Sequence, residues 1–152
     1  MKNILTLSAI AAISLGWAGL AHAGDAVLDD YVAVSTALSK NDLPAAKTAA
    51  GTLAQVAKTA DQATLATHAA QLAASDSLAT AREHFKAASG EAVKLAAGKE
   101  GYYILTCPMA HADWVQSTKD VQNPYMGSAM PGCGSLKTGP SAAAPKMGGC
   151  CG

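Results

Sequence analysis

The residues best able to do chemistry in this chain are soft metal ligands between positions 102 and 133. The stretch reads YYILTCPMAHADWVQSTKDVQNPYMGSAMPGC, and its sulfur and imidazole groups are Cys107, Met109, His111, Met126, Met130 and Cys133. Thiolate and thioether sulfur select Cu(I), while imidazole also suits Cu(II) and zinc. The only carboxylates here are Asp113 and Asp120, which disfavours an ion with oxygen ligands. The stretch therefore predicts a soft-metal site, with Cu(I) as the expected ion and zinc as the alternative.

These ligands fall into two groups, and the spacing predicts how each group converges. Cys107, Met109 and His111 occupy alternate positions, and alternate side chains of an extended segment point to the same side. Met126, Met130 and Cys133 are separated by 4 and 3 residues, which would place them on one face over a helical turn. Whether Cys107 and Cys133 lie close together then decides if the two groups can act as one site.

The same two cysteines could instead form a structural disulfide. The 25 residues between Cys107 and Cys133 would close a loop that stabilises the fold by roughly 3 kcal/mol in the chain-entropy model. An even number of cysteines in an oxidising compartment favours such pairing. Metal ligation, a disulfide and free thiols all stay open at this point, and the methionines could equally fill the core.

Two further cysteines, Cys150 and Cys151, lie near the end of a segment rich in Gly, Ala, Pro and Ser. This composition predicts a disordered tail over residues 135–152. Bridging adjacent cysteines would strain the bond, so the pair is expected to capture a soft metal, to stay free or to link to another molecule.

The sequence offers little support for catalysis or nucleic-acid binding. It contains no C-x-x-C redox motif, no H-E-x-x-H zinc motif and no Gly-rich phosphate loop. A nucleophilic pair of Cys107 and His111 would need a free thiol in an oxidising compartment. The formal net charge is zero and there is no basic patch for nucleic acid. We therefore expect a protein that is not an enzyme and has no catalytic or cofactor-binding residues.

Residues 1–23 predict a secretory signal peptide. Lys2 precedes an apolar run from 4 to 20, and Ala21-His22-Ala23 supplies a small-x-small cleavage site. The alternative is an uncleaved membrane anchor, since the run approaches the length of a bilayer span. We expect cleavage before Gly24, no stable membrane insertion afterwards, and a periplasmic or secreted location.

The elements that must position the ligands begin with four helices over residues 24–98. The first has one apolar face at helical spacing, formed by Val27, Tyr31, Val34 and Leu38. Asp42, followed by Pro44, predicts the start of the second helix, and Asp61 and Ser75 are the predicted caps of the third and fourth. Short links make consecutive helices antiparallel. The predicted fold class is all-α, an up-down-up-down four-helix bundle.

Residues 99–134 are predicted to form an irregular Cys/Met/His-rich loop packed on this bundle. The run from 102 to 106 is aromatic and β-branched, but the prolines and glycines that follow exclude long regular elements. A helical turn is expected at 112–117. Trp114 and Tyr125 are the expected anchors of the loop.

The pattern Y-Y-x-x-x-C-P-M-A-x-A-D-W-x-Q, followed by N-P-Y-x-G-x-x-M-x-x-C-G, resembles a small helical domain of unknown function. That domain is found alone in secreted bacterial proteins or appended to copper/heavy-metal efflux adaptor (membrane-fusion) proteins. The matching positions here are Tyr102, Tyr103, Cys107, Pro108, Met109, Asp113, Trp114, Asn123, Pro124, Tyr125, Gly127, Met130, Cys133 and Gly134. The helices share only a general Ala/Leu pattern with it.

The resemblance implies a periplasmic helical bundle associated with copper or related metals, and it implies no reaction. It makes Cys107, Met109, Met130 and Cys133 the soft positions of the motif, with Met126 and His111 at variable ones. Two functions are therefore expected as alternatives. One is Cu(I) binding for buffering or for hand-off to an efflux or resistance system, with an efflux adaptor or a copper-handling protein as partner. The other is a structural or interaction module of such a system, with a Cys107–Cys133 disulfide and no metal of its own.

Overall fold

Four helices form the N-terminal part of the structure, a computed structural model that describes residues 23–139. They are α1 (Ala23–Ser39), α2 (Leu43–Thr59), α3 (Ala63–Ala73) and α4 (Leu78–Ala96). Consecutive helices pack on each other, and α1 also touches α4. Because the connections are only three or four residues long, these neighbours are antiparallel. The predicted signal peptide and the Cys150–Cys151 pair lie outside the described residues. Within residues 23–139, no helix is both long and apolar enough to cross a membrane.

The helix faces follow the spacing of the apolar residues. The four predicted core positions of α1 are all fully buried, namely Val27, Tyr31, Val34 and Leu38. The buried faces of α2 and α4 are mostly alanine, and their large buried side chains are Leu53 in α2 and Phe85 in α4. Alanine faces allow close approach of the helices, so a few large side chains fill the space that remains.

The start of α2 agrees with its predicted signal, and the start of α3 does not. Asp42 Oδ1 accepts the backbone N–H of Ala45 at 2.9 Å, and Pro44 lies in the first turn of α2. Gln62 occupies the N-cap of α3 without a side-chain hydrogen bond. Asp61 has a φ of 56°, a left-handed turn conformation in which it precedes the cap instead of forming it.

The all-α prediction is wrong, because the chain after α4 forms a three-stranded antiparallel sheet. The strands are β1 (Tyr103–Cys107), β2 (Ala112–Gln116) and β3 (Ser135–Thr138), in the spatial order β2-β1-β3. Within the sheet, the backbone N–H and C=O groups of the buried strand residues pair with each other. An irregular loop in the same buried position would leave such groups unpaired. The predicted loop of 99–134 is thus partly strand, and β3 occupies the start of the predicted tail.

The sheet completes the core of the bundle. β2 lies against both α1 and α4, and its residues Trp114 and Val115 are fully buried. The helical turn expected at 112–117 is therefore wrong, since most of that segment is the edge strand that packs on the helices. In register, Leu105 of β1 faces Trp114 on one side and Leu136 on the other.

Candidate metal centre

Cys107, Met109 and His111 lie at the β1–β2 hairpin, whose turn separates their side chains. Cys107 ends β1 and pairs with Ala112, the first residue of β2. Between them, the N–H of His111 donates to the carbonyl of Pro108 at 3.3 Å, and His111 has a φ of 47°. Because the chain reverses here, the predicted extended alternation is wrong. Cys107 is fully buried, whereas Met109 is 54% exposed and His111 is exposed.

Met126, Met130 and Cys133 lie in a loop that is closed on the buried side chain of Asn123. Its Nδ2 donates to the carbonyl of Cys133, and its Oδ1 accepts the N–H of Met126 at 3.0 Å. Only Gly127–Ala129 is helical, as a single 3-10 turn, and Met130 leaves it with a φ of −144°. The three sulfur residues therefore do not share a helical face as predicted. Both methionines are half-buried against the core.

The two cysteines of this region differ in covalent state. Cys107 is a free thiol, and Cys133 is disulfide-bonded. The Cys107–Cys133 disulfide, considered from the sequence, is therefore wrong. Cys107 is the last residue of β1 and is held in the core below the hairpin turn. There its Sγ accepts the backbone N–H of Ala110 at 3.4 Å.

The two groups of ligands nevertheless come to the same end of the sheet. Thr106, which precedes Cys107, pairs with Ser135, two residues after Cys133. Gly134 lies between Cys133 and Ser135, and a Cβ built on it would be only 2.9 Å from the carbonyl oxygen of Thr106. The strand register therefore gathers the backbones of both cysteine-bearing segments at one place, which we call the cysteine corner: residues 107–111 and 126–134.

Two basic side chains of α4 hold this corner and the residues just before its second segment on the bundle. Arg82 Nε donates to the carbonyl of Pro124 at 2.8 Å, and its Nη2 donates to Asn41 Oδ1 at 2.6 Å. One helical turn further along, Lys86 Nζ donates to the carbonyl of Ala110 at 2.6 Å. Burial lowers the pKa of Arg82. Neither role was predicted, because a bond to the backbone of a distant segment leaves no periodic signal in the sequence.

Trp114 and Tyr125 anchor the segment, as predicted. Trp114 is fully buried and Tyr125 nearly so. Their rings meet edge to face with 6.1 Å between centroids, and the Tyr125 ring tilts against Phe85 of α4 at 5.6 Å. Sheet, loop and bundle therefore share one aromatic core.

A cluster of buried hydroxyls lies beside these rings. Ser89 Oγ is 2.6 Å from the Tyr31 hydroxyl and 3.0 Å from the Tyr125 hydroxyl, which also donates to the carbonyl of Asp113 at 2.6 Å. Burial raises the pKa of both tyrosines well above the usual range, and the charges of Asp113 and Cys107 add to the effect at Tyr125. Sequence reasoning missed this cluster, since Ser89 is one small residue among many in α4.

Most of the side chains at the corner that could bind a metal are sulfur donors. Among the residues whose side chains the structure describes, no three from His, Cys, Asp and Glu form a group that could hold a metal. The donors at the corner are the Cys107 thiol, the His111 imidazole and the thioethers of Met109, Met126 and Met130. Cu(I) accepts the sulfur donors.

The fold and this corner define a four-helix bundle completed by a small sheet that carries soft ligands at one end. Residues 27–101 match the family model described as "Protein of unknown function (DUF3347)". The match covers just under half of the chain and agrees with the expected small helical domain of unknown function, but it carries no link to efflux adaptors. It lies on the helices and ends before β1, whereas the predicted resemblance rested on the motif of residues 102–134. No curated protein and no solved structure matches the chain.

Proposed function

We propose that this protein binds Cu(I) at the cysteine corner in the periplasm or outside the cell. It would buffer the ion or pass it to an efflux or resistance system. The observation that carries the proposal is the state of Cys107: a free thiol, fully buried, at the place where both ligand-bearing segments meet. A thiol kept out of disulfide pairing is available to a soft metal.

Cys107 is the anchoring ligand in this proposal, and thioethers complete the set. Met109 and His111 belong to the turn directly after Cys107, and Met126 and Met130 belong to the loop held by Asn123. Cys133, predicted from the sequence as a ligand, is not counted while its disulfide stands. The sulfur donors give the corner its preference for Cu(I) over zinc.

Cys150 and Cys151 keep their predicted role as a second capture point for metal. They lie outside the described residues, so the role rests on the sequence alone: two adjacent cysteines, the first of them three residues after Met147. They must be separated experimentally from the corner, because they would bind the same ion.

The test is an anaerobic Cu(I) titration of the full chain against a competing chelator. Loss of a group that merely orients a ligand already weakens metal sites by about 10- to 100-fold, so Cys107→Ser should weaken one site by about 100-fold or more. The double variant Cys150→Ser/Cys151→Ser should keep that site, and so should the control His84→Gln on α4. Wild-type affinity in Cys107→Ser, with all binding lost in the double tail variant, would move the site to the tail and refute the proposal.

A second candidate is an interaction module of a metal-efflux system, without a metal and without the Cys107–Cys133 disulfide. The family match covers the helices of 27–101 and not the corner, so the part of the chain shared with that family contains none of the proposed ligands. An efflux adaptor would be its partner. The two candidates differ in one outcome: a wild-type protein that binds no Cu(I), in cells that still lose copper tolerance on its deletion, supports the module.

A further inference from the structure

The turn between β1 and β2 directly follows the buried Cys107 thiol and contacts it. Cys107 has no exposed surface, yet the next two residues, Pro108 and Met109, are exposed. The N–H of Ala110, on the far side of the turn, reaches back to Cys107 Sγ at 3.4 Å. The turn therefore contacts the sulfur at the point where the chain passes from buried to exposed residues.

An exposed side-chain hydrogen bond joins this turn to the bundle. Lys86 is an exposed residue of α4, and its Nζ donates to the carbonyl of Ala110 at 2.6 Å. Within residues 25–139 it is the only side-chain hydrogen bond that reaches residues 108–111 from outside the hairpin. Exposed contacts of this kind are weak. His111, with a φ of 47°, adds a backbone conformation that residues other than glycine rarely adopt.

There is also room for the turn to move. A groove of about 410 Å³ separates it from α4 and is lined by Lys86, Gly90, Val93, Lys94 and His111, among others. Gly90 contributes no side chain, and a Cβ built there would meet nothing within 4 Å. The groove therefore leaves space beside the turn on its α4 side.

We infer that residues 108–111 form a lid over Cys107, and that Lys86 is the latch that holds it shut. Opening breaks the Lys86–Ala110 contact and exposes the thiol while the sheet stays paired, a local opening and not an unfolding of the domain. The inference rests on the proposed function for its purpose, since the lid would control entry of a metal ion to Cys107. Its test requires no metal.

The experiment is pulse alkylation of the full native chain by N-ethylmaleimide in the absence of metal. Peptide mass spectrometry then reads modification of Cys107 separately from the other cysteines. Because an exposed contact holds the lid, Lys86→Met should speed labelling of Cys107 by about three- to tenfold. Lys94→Met is the matched control. Lys94 lines the same groove, but its ion pair is with Glu91 of the same helix, at 2.9 Å, so its loss should leave the rate unchanged.

Three results would overturn the lid. The first is equal labelling of wild type and Lys86→Met. The second is an equal increase in Lys86→Met and Lys94→Met, which would indicate a general effect of charge. The third is a wild-type labelling rate that rises with urea as steeply as global unfolding does, since a local opening exposes little surface. If the expected pattern holds and the wild type binds no Cu(I), the lid stands and only the metal proposal fails.

Discussion

At the residue scale, Gly134 allows the two halves of the cysteine corner to close on each other. Its φ is 141°, and a Cβ there would lie 2.7 Å from Cη2 of Trp114 and 2.9 Å from the carbonyl oxygen of Thr106. Trp114 is fully buried and Thr106 contributes backbone, so neither can easily move aside. The approach of β3 to β1 beside Cys107 therefore requires glycine at this position.

Gly134→Ala should accordingly destabilise the fold by about 2–3 kcal/mol, through steric overlap and an unfavourable backbone conformation. Urea unfolding followed by circular dichroism measures the loss. Gly132→Ala is the control, because that glycine is exposed and a Cβ there meets nothing within 4 Å. It should change the free energy of unfolding by less than about 0.5 kcal/mol. Equal unfolding midpoints for the two variants would show that the close approach is not needed.

At the scale of elements, α4 is the helix whose side chains hold the C-terminal segments on the bundle. Arg82 contacts Pro124 and Asn41 at once, so it joins the loop to the end of α1. Such a pair of bonds needs the planar fork of a guanidinium, which a lysine ammonium does not reproduce.

Arg82→Lys keeps the charge but should lower stability by about 1–2 kcal/mol, because one of the carbonyl and amide acceptors loses its donor. Thermal and urea unfolding both measure this. The reverse exchange, Lys94→Arg on the exposed face of the same helix, should change little. If Arg82→Lys unfolds at the wild-type midpoint, the fork contributes no stability and the loop is held by its own packing.

The elements also differ in how far the sequence could predict them. The helices follow from the local spacing of apolar residues, which is why the predicted core face of α1 was correct. Their caps are less certain, since several polar residues often compete: Ser77 caps α4, with its Oγ 3.1 Å from the N–H of Thr80, and not the predicted Ser75. The sheet has strands of only four or five residues, and β3 pairs with a strand about thirty residues earlier. Such pairing depends on contacts that no local pattern records.

The same limit applies to the candidate site. The residue types at the corner could be read directly, but their directions depended on assuming an extended 107–111 segment and a helical 126–133 segment. Pro108, lying between the aromatic run from 102 and the Trp114-Val115 pair, was the available signal for a hairpin turn. The latch by Lys86 and the free state of Cys107 had no signal, because both depend on which distant segments meet.

At the scale of the whole molecule, the buried hydroxyls connect all parts of the fold. Tyr31 comes from α1, Ser89 from α4 and Tyr125 from the loop, and the Tyr31 hydroxyl also bonds to the backbone of Val115 in β2. A change that charges one of these hydroxyls therefore affects helices, sheet and loop together. We expect them to lose stability as one unit.

This connection predicts how stability depends on alkaline pH. Burial is the largest cause of the raised pKa of Tyr31, Tyr102 and Tyr125 in the folded protein. Above about pH 10 the unfolded chain releases tyrosine protons that the folded protein retains. Stability is therefore fully present below about pH 10 and is lost as the pH rises towards the folded values, with a slope of up to about 1.4 kcal/mol per pH unit for each tyrosine.

Urea unfolding at a series of pH values should show this decline, with tyrosinate absorbance following the ionisation. Tyr125→Phe removes one of the titrating groups, so its curve should fall less steeply above about pH 10 than the wild-type curve. The two proteins differ in no other titratable group. The substitution also removes the bonds to Ser89 and Asp113, which lowers stability at every pH without changing the slope. Parallel curves would mean that Tyr125 ionises as easily in the folded protein as in the unfolded chain, and that the hydroxyl cluster is not sealed from water.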